Sequence, residues 1–255
     1  MCEALLTQRE LRKAAKQVGD CIDCACVIHG NGYDWIYVDR LYNMLTRHLT
    51  KKVRLHVYTE HNRTVPAHMI KHVLNEWPGL SGRRRSWWYK MQLFNTEHFA
   101  GQLLYLDLDT VIVNSLDWVL DLDTKYFWSI KDFQSLWNPK FQGINSSFMY
   151  WNTVSFAKIW QDFSCQDIAQ VRKKYHGDQD YISDVLEPTK RKFVDSTRVV
   201  SWRWQALDGG MNFVKRTHKI PNKGTEIDKN TSLLIFHGNP KPDQVQDPVV
   251  QSHWR

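Results

Sequence analysis

The stretch LLYLDLDTVIVN at 103–114 constrains the fold more than any other part of the chain. Leu103–Leu106 and Val111–Val113 are apolar runs of the kind that form buried strands. Between them stand Asp107 and Asp109, although removing an unpaired carboxylate from water is costly. In an extended strand, residues i and i+2 face the same side, so the two acids are expected to point one way. Two like charges held side by side call for a cation. Oxygen ligands at a strand end suit Mn²⁺ or Mg²⁺, which also bind substrate phosphates. Alternatively, the pair caps a helix or meets a buried arginine. A second D-x-D, Asp121-Leu122-Asp123, has no apolar run after it and reads as a solvated turn or helix cap.

Strands and helices alternate along the first half. CACVIHGN at 24–31 reads as a strand entering a Gly-Asn-Gly loop at 30–32. A helix from about Trp35 to Leu49 and a strand at 53–60 follow. Residues 66–77 are expected to be helical, as is the later half of 82–95. Further on, 127–133 and 146–152 read as strands, 154–163 as a helix, and 176–186 as a loop entering a helix. SLLIFHGNPKP at 232–242 reads as a strand ending at a His-Gly turn. Strands that read as continuous apolar runs alternating with helices argue an α/β fold, with a mostly parallel sheet and helices on both faces. Ligands in such sheets sit at the carboxyl ends of the strands, where Asp107 and Asp109 fall. One domain spanning 1–255 is expected. It comprises an N-terminal helix (1–20), a first half (21–125), and an irregular second half with a C-terminal tail (126–255).

The 255 residues carry 34 basic and 27 acidic side chains, a formal net charge of +7 that favours anionic partners. No run is long and apolar enough to span a bilayer, and residues 1–20 lack the apolar core of a secretory signal. Of five cysteines, Cys21, Cys24 and Cys26 cluster, but no second pair completes a zinc motif. Cys24 and Cys26 read as small apolar strand residues, and a reducing cytoplasmic setting is expected.

Other polar groups could join the two acids. His237, at a strand terminus, can complete a metal site, and Lys241 in the rigid Gly-Asn-Pro-Lys-Pro loop can neutralise a diphosphate. Gly177-Asp178-Gln179-Asp180 sits where a loop enters a helix, as N-caps or as groups that grip hydroxyls. Asn145-Ser146-Ser147 precedes a strand.

Taken in order, an apolar strand with D-x-D, an Asn-small-small element, a D-Q-D loop and a strand ending in H-G-x-P-K-P resemble nucleotide-sugar glycosyltransferases of the GT-A, Rossmann-like fold. The closest resemblance is to the retaining family eight type, which includes glycogenin and lipopolysaccharide galactosyl- and glucosyltransferases, over roughly 24–242. It implies transfer of a sugar from a nucleoside diphosphate, usually UDP, with Mn²⁺ or Mg²⁺ bridging the diphosphate. Asp107, Asp109 and His237 would be metal ligands. Lys90, Asp107, Asn145, Gly238 and Lys241 would contact the donor, and Asp178, Gln179 and Asp180 would stabilise the reacting carbon.

The acceptor is expected to be a glycan, with DNA carrying hydroxymethylated bases as the alternative. Arg85, Trp88, Trp202 and Trp204, in GRRRSWWYK and SWRWQ, are the candidate acceptor contacts. The competing reading packs the tryptophans into the core. Two other classes are a non-catalytic basic-aromatic nucleic-acid binder, which leaves the acids and His237 without a role, and a phosphoryl-transfer enzyme or hydrolase. The chain has no G-x-x-x-x-G-K phosphate loop, which speaks against the latter.

Overall fold

The computed structural model describes residues 20–77, 80, 86–136, 138–206, 211–212, 217–218 and 227–255. The expected N-terminal helix and Arg85 lie outside the described residues. The first half comprises β1 (Cys21–Val27), α1 (Ile36–His48), β2 (Lys52–Thr59), β3 (Ile70–Val73), a 3₁₀ segment (Ser86–Phe94), β4 (Gln102–Leu106) and β5 (Thr110–Ile112). The second half adds β6 (Phe127–Lys131), β7 (Ile144–Asn152), α2 (Ala157–Ser164), α3 (Ile168–Lys174), α4 (Asp178–Val185), β8 (Arg191–Phe193) and β9 (Val199–Ser201). A π-type turn (Trp202–Ala206), β10 (Met211–Asn212), β11 (Thr217–His218), β12 (Leu233–Ile235) and α5 (Pro248–His253) complete the order.

A seven-stranded sheet runs β3-β2-β1-β4-β7-β6-β8. Strands β3, β2, β1 and β4 are mutually parallel, β7 is antiparallel to β4 and β6, and β8 is parallel to β6. Alternation along the central strands builds two cores, one on each face. Cys24 and Cys26 of β1, Leu104 and Leu106 of β4, and Phe148 and Tyr150 of β7 enter one core. Ala25, Leu103, Tyr105, Met149 and Trp151 enter the other. This is the period-two pattern of a sheet covered on both sides. Helix α1 closes the first core with Val38, Leu41, Met44 and Leu45, a stripe at helical spacing. Burial pushes the Cys24 and Cys26 thiols well above their ordinary range, so both act as small apolar residues.

Strand order reverses between β1 and β4, with β2 and β3 on one side and the later strands on the other. Such a switch point opens a crevice at the carboxyl ends of the strands. A smaller sheet, β5-β12-β9, packs beside the first.

Two expectations need correction. Residues 66–77 form a turn and the edge strand β3, which pairs in parallel with β2 from His56↔Ile70 to Thr59↔Val73. The short apolar pattern there fits both periods, and pairing with the open edge of β2 decides for strand. The D-x-D is also not part of a continuous strand. The Asp107 N–H bonds the Ser147 carbonyl (2.9 Å), and the Thr110 N–H then turns back onto the Asp107 carbonyl (3.1 Å). Strand β5 leaves for the smaller sheet and pairs with β12. A turn, rather than strand alternation, brings the two acids together. Among the described residues no helix is long and apolar enough to cross a membrane.

Candidate functional site

A cavity of about 530 Å³ opens at the switch point. The loop after β1 supplies His29, Gly32 and Tyr33, and the turn after β4 supplies Asp107 and Asp109. Asn145, Ser146 and Ser147 come from the start of β7, which is antiparallel to β4 and so begins where β4 ends. Trp87 and Lys90 lie on the 3₁₀ segment, whose period of three puts them on one face. Gly177, Asp178 and Gln179 come from the start of α4, and His237, Gly238 and Lys241 from the loop after β12. Nine of the ten residues expected to hold the metal, the donor or the reacting carbon therefore share one cavity: Lys90, Asp107, Asp109, Asn145, Asp178, Gln179, His237, Gly238 and Lys241.

Its centre is a buried charge network. Lys90, 8 % exposed, places Nζ 2.7 Å from Asp107 Oδ1 and 3.8 Å from Asp178 Oδ2. It also donates to Ser146 Oγ (3.2 Å), which donates in turn to Asp178 Oδ2 (2.6 Å). Burial pulls the Lys90 ammonium down, but Asp107 and Asp178 outweigh it and hold the group above its usual range. For Asp107, burial acts upward, yet the Lys90 charge and hydrogen bonds from Lys90 and Tyr105 hold its carboxyl below the ordinary value. Asp178 is 3 % exposed, and there burial wins, raising its carboxyl despite Lys90 and Ser146.

Asp109 has a separate neutralising partner. Lys241 donates to its Oδ2, which also accepts from the Tyr33 hydroxyl (2.8 Å). Burial still raises this carboxyl, and the neighbouring Asp107 charge adds to the rise. The partners of the two acids are thus lysines rather than an arginine. In the loop after β12, His237 Nε2 shares a hydrogen bond with Ser201 Oγ (2.6 Å), and its ring stacks on Phe133 at 5.3 Å. Burial, with the positive charges of Arg203 and Lys241, pulls its pKa down to about 4, leaving a neutral imidazole at pH 7. Gly238 adopts φ +78°, and a Cβ there would lie 3.0 Å from Arg203 Nη1. Glycine suits that turn for both reasons.

Two carboxylates and a neutral imidazole are donor types that suit Mn²⁺ or Mg²⁺. In this structure the carboxylates face lysines, and among the described residues no three acidic, histidine or cysteine side chains already converge as a cation cage.

The acceptor contacts fare differently. Trp88 and Trp202 are each 1 % exposed, Trp88 stacked on Phe163 (5.9 Å) and Trp202 on Phe236 (5.0 Å). Closed rings of this kind pack the core and offer no face to an acceptor. Trp204 sets its edge against His237 (centroids 4.3 Å apart), bracing that ring. Asp180 is on α4 but is not among the residues lining the cavity. The second D-x-D is a surface turn, with Asp121 and Asp123 exposed and Asp123 paired to Lys125.

Several contributors carried no sequence signal. Tyr33 and His176 line the cavity, and His176 stacks at 6.3 Å on Trp87, which lies in the GRRRSWWYK stretch singled out above. Glu60 accepts from the Gly30 N–H, and Arg63 donates to the Gly30 carbonyl (2.7 Å), tying down the loop after β1.

No protein-family model matches the sequence, and no curated protein matches it. Solved structures do match. Galactosyltransferase LgtC in complex with donor and acceptor sugar analogues superposes with a TM-score of 0.57 at 13 % identity, covering 91 % of this chain and 96 % of that one. The bifunctional glycosyltransferase WbbM gives 0.58 at 12 % identity over 88 % of this chain and 47 % of its own. The glycosyltransferase GlyE of Streptococcus pneumoniae gives 0.57 at 12 % identity over 91 % and 59 %. A mixed sheet with its crevice at the β1/β4 switch point, shared over nine-tenths of the chain with such structures, is the fold of the GT-A glycosyltransferases.

Proposed function

We propose that this protein is a metal-dependent glycosyltransferase that moves a sugar from a nucleoside-diphosphate sugar, of the UDP type, to a hydroxyl of a glycan, with retention of configuration. The observation that carries this reading is the convergence of the D-x-D turn, the His237–Lys241 loop and the Asp178-Gln179 helix start on one cavity. Asp107, Asp109 and His237 would hold Mn²⁺ or Mg²⁺, which when bound neutralises charge on a diphosphate. Lys241, freed from Asp109, can meet the diphosphate as it departs with negative charge. Lys90 holds Asp107 and Asp178 in register, and Asn145 lines the cavity beside them. As the sugar carbon becomes cationic, Asp178 and the Gln179 amide oxygen supply negative charge next to it. The burial of Trp88 and Trp202 takes two stacking surfaces from a glycan and from a nucleic acid alike, so the preference for a glycan rests on the family resemblance.

The test is thermal stabilisation by UDP, GDP, UDP-glucose and UDP-galactose, with and without Mn²⁺. A ligand at 100 times its Kd adds about 2.7 kcal/mol of stability. For a chain of 255 residues that is a rise of roughly 5 °C. A Mn²⁺-dependent rise with a uridine nucleotide, abolished in Asp109→Ala, is expected; no rise with any nucleotide overturns the reading.

A further inference from the structure

Gln179 lines the cavity, and an amide can turn either end toward it. Its Nε2 donates to Asp132 Oδ2 at 3.0 Å. As a carboxylate, Asp132 can only accept, so the NH₂ end must face it and the carbonyl end is left for the cavity. Asp132 itself is firmly placed. It is 9 % exposed and follows the last residue of β6. Its N–H bonds the Gly143 carbonyl (2.9 Å), its carbonyl accepts from the Ser135 N–H (2.9 Å), and its Oδ1 accepts from the Gln134 N–H (2.7 Å). The two carboxylate oxygens therefore divide the contacts, with Oδ1 capping the turn and Oδ2 holding the glutamine.

We infer that Asp132 is a positioning residue that fixes the Gln179 amide with its oxygen toward the cavity. The inference rests on the transferase reading, in which a carbon developing positive charge gains from an amide oxygen and loses from an NH₂ group. Donation from the NH₂ end into a carboxylate also polarises the amide and strengthens the negative end of its dipole. The next residue, Phe133, stacks on His237, so the end of β6 braces both sides of the cavity. Asp132 does not itself line the cavity and acts through Gln179.

The two-oxygen arrangement gives a specific test. Asp132→Asn is nearly isosteric, but it has one oxygen. With that oxygen capping Gln134, its NH₂ faces Gln179, and the glutamine must turn over to accept from it. The variant should bind UDP with Mn²⁺ as the wild type does and fold with the same melting temperature. Its kcat for UDP release from UDP-galactose or UDP-glucose should fall about 100-fold at unchanged KM. Asp132→Ala should fall less, because the freed amide can still sample the productive orientation. An independent readout is the Gln179 side-chain amide ¹⁵N–¹H resonance, assigned by its disappearance in Gln179→Glu. In Asp132→Asn this signal should move and its protons should exchange rapidly with solvent. An unmoved resonance overturns the assignment, as does unchanged kcat in a variant whose resonance has moved. Failure of the wild type to bind any uridine nucleotide instead overturns the transferase reading on which the inference rests, and the amide resonance then still decides the orientation.

Discussion

Lys90 meets two of the cavity's acids, and replacing it by methionine isolates its contribution. At 2.7 Å from Asp107 and an effective dielectric near 20, the gross attraction is about 6 kcal/mol. Desolvation of the ammonium offsets part of that, but the methionine would leave the partly exposed Asp107 (side chain 21 % exposed) and the buried Asp178 with no lysine charge between them. Removing one member of a buried pair costs about 3–5 kcal/mol, the upper bound here. Unfolding entropy of about 2.1 cal/mol/K per residue sums to roughly 0.5 kcal/mol/K over 255 residues, so the melting temperature should drop by at most roughly 6–10 °C. Differential scanning calorimetry on Lys90→Met, Asp107→Asn and the double variant completes a thermodynamic cycle. Neutralising the carboxylate should recover much of the loss, giving a coupling of about 2 kcal/mol. Additivity within about 0.5 kcal/mol would show that Lys90 supports the fold through its alkyl stem, and the charge-network account would fail.

Two further perturbations test the surroundings. Gly238→Ala places a side chain at φ +78° and pushes against Arg203, so it should cost about 1–3 kcal/mol and weaken UDP binding; calorimetry and titration of the nucleotide check both, and unchanged values would mean that the loop relaxes freely. Asp23 bonds Arg54 through both oxygens (2.7 and 2.5 Å) and His56 through one (2.8 Å). Burial pushes its carboxyl up, but those partners hold it below the ordinary value. Its stabilising contribution is therefore present above the unfolded-state pKa and is lost as pH falls through the folded-state value. Asp23→Asn should destabilise by about 1–3 kcal/mol at pH 7, with the gap closing below about pH 4; a gap equally wide at pH 3 and pH 7 would refute the ionic account.

The parts of the site that were legible in the sequence are those whose chemistry contradicts their surroundings. Asp107 and Asp109 stood out because they interrupt apolar runs, and His237 to Lys241 because a strand stops there at a glycine–proline turn. Lys90 and Lys241 were named as donor contacts, but their pairing with the two acids was not legible. Lys241 reaches Asp109 across 132 positions, and Lys90 sits in a segment that reads simply as helical. Asp132 falls inside the stretch 127–133 that reads as strand, and nothing marks it until β6 ends at Lys131 and α4 brings Gln179 against it. The tryptophans of SWWYK and SWRWQ misled in the opposite direction. An indole serves a ligand or a core equally well, and only tertiary packing shows Trp88 and Trp202 enclosed. Local period failed at 70–73 for a related reason, since strand β3 is defined by the edge it completes.

The junction between β4 and β5 also governs how the two sheets communicate. Asp107 is held by the large sheet through Ser147, whereas Asp109 immediately precedes β5, the strand that pairs with β12 in the small sheet. Strand β12 in turn leads directly into His237 and Lys241. The spacing between the two carboxylates therefore works as a gauge of how the sheets are seated. A repacked residue in the small sheet, such as Leu234 opposite Val111, would register at the cavity without touching it.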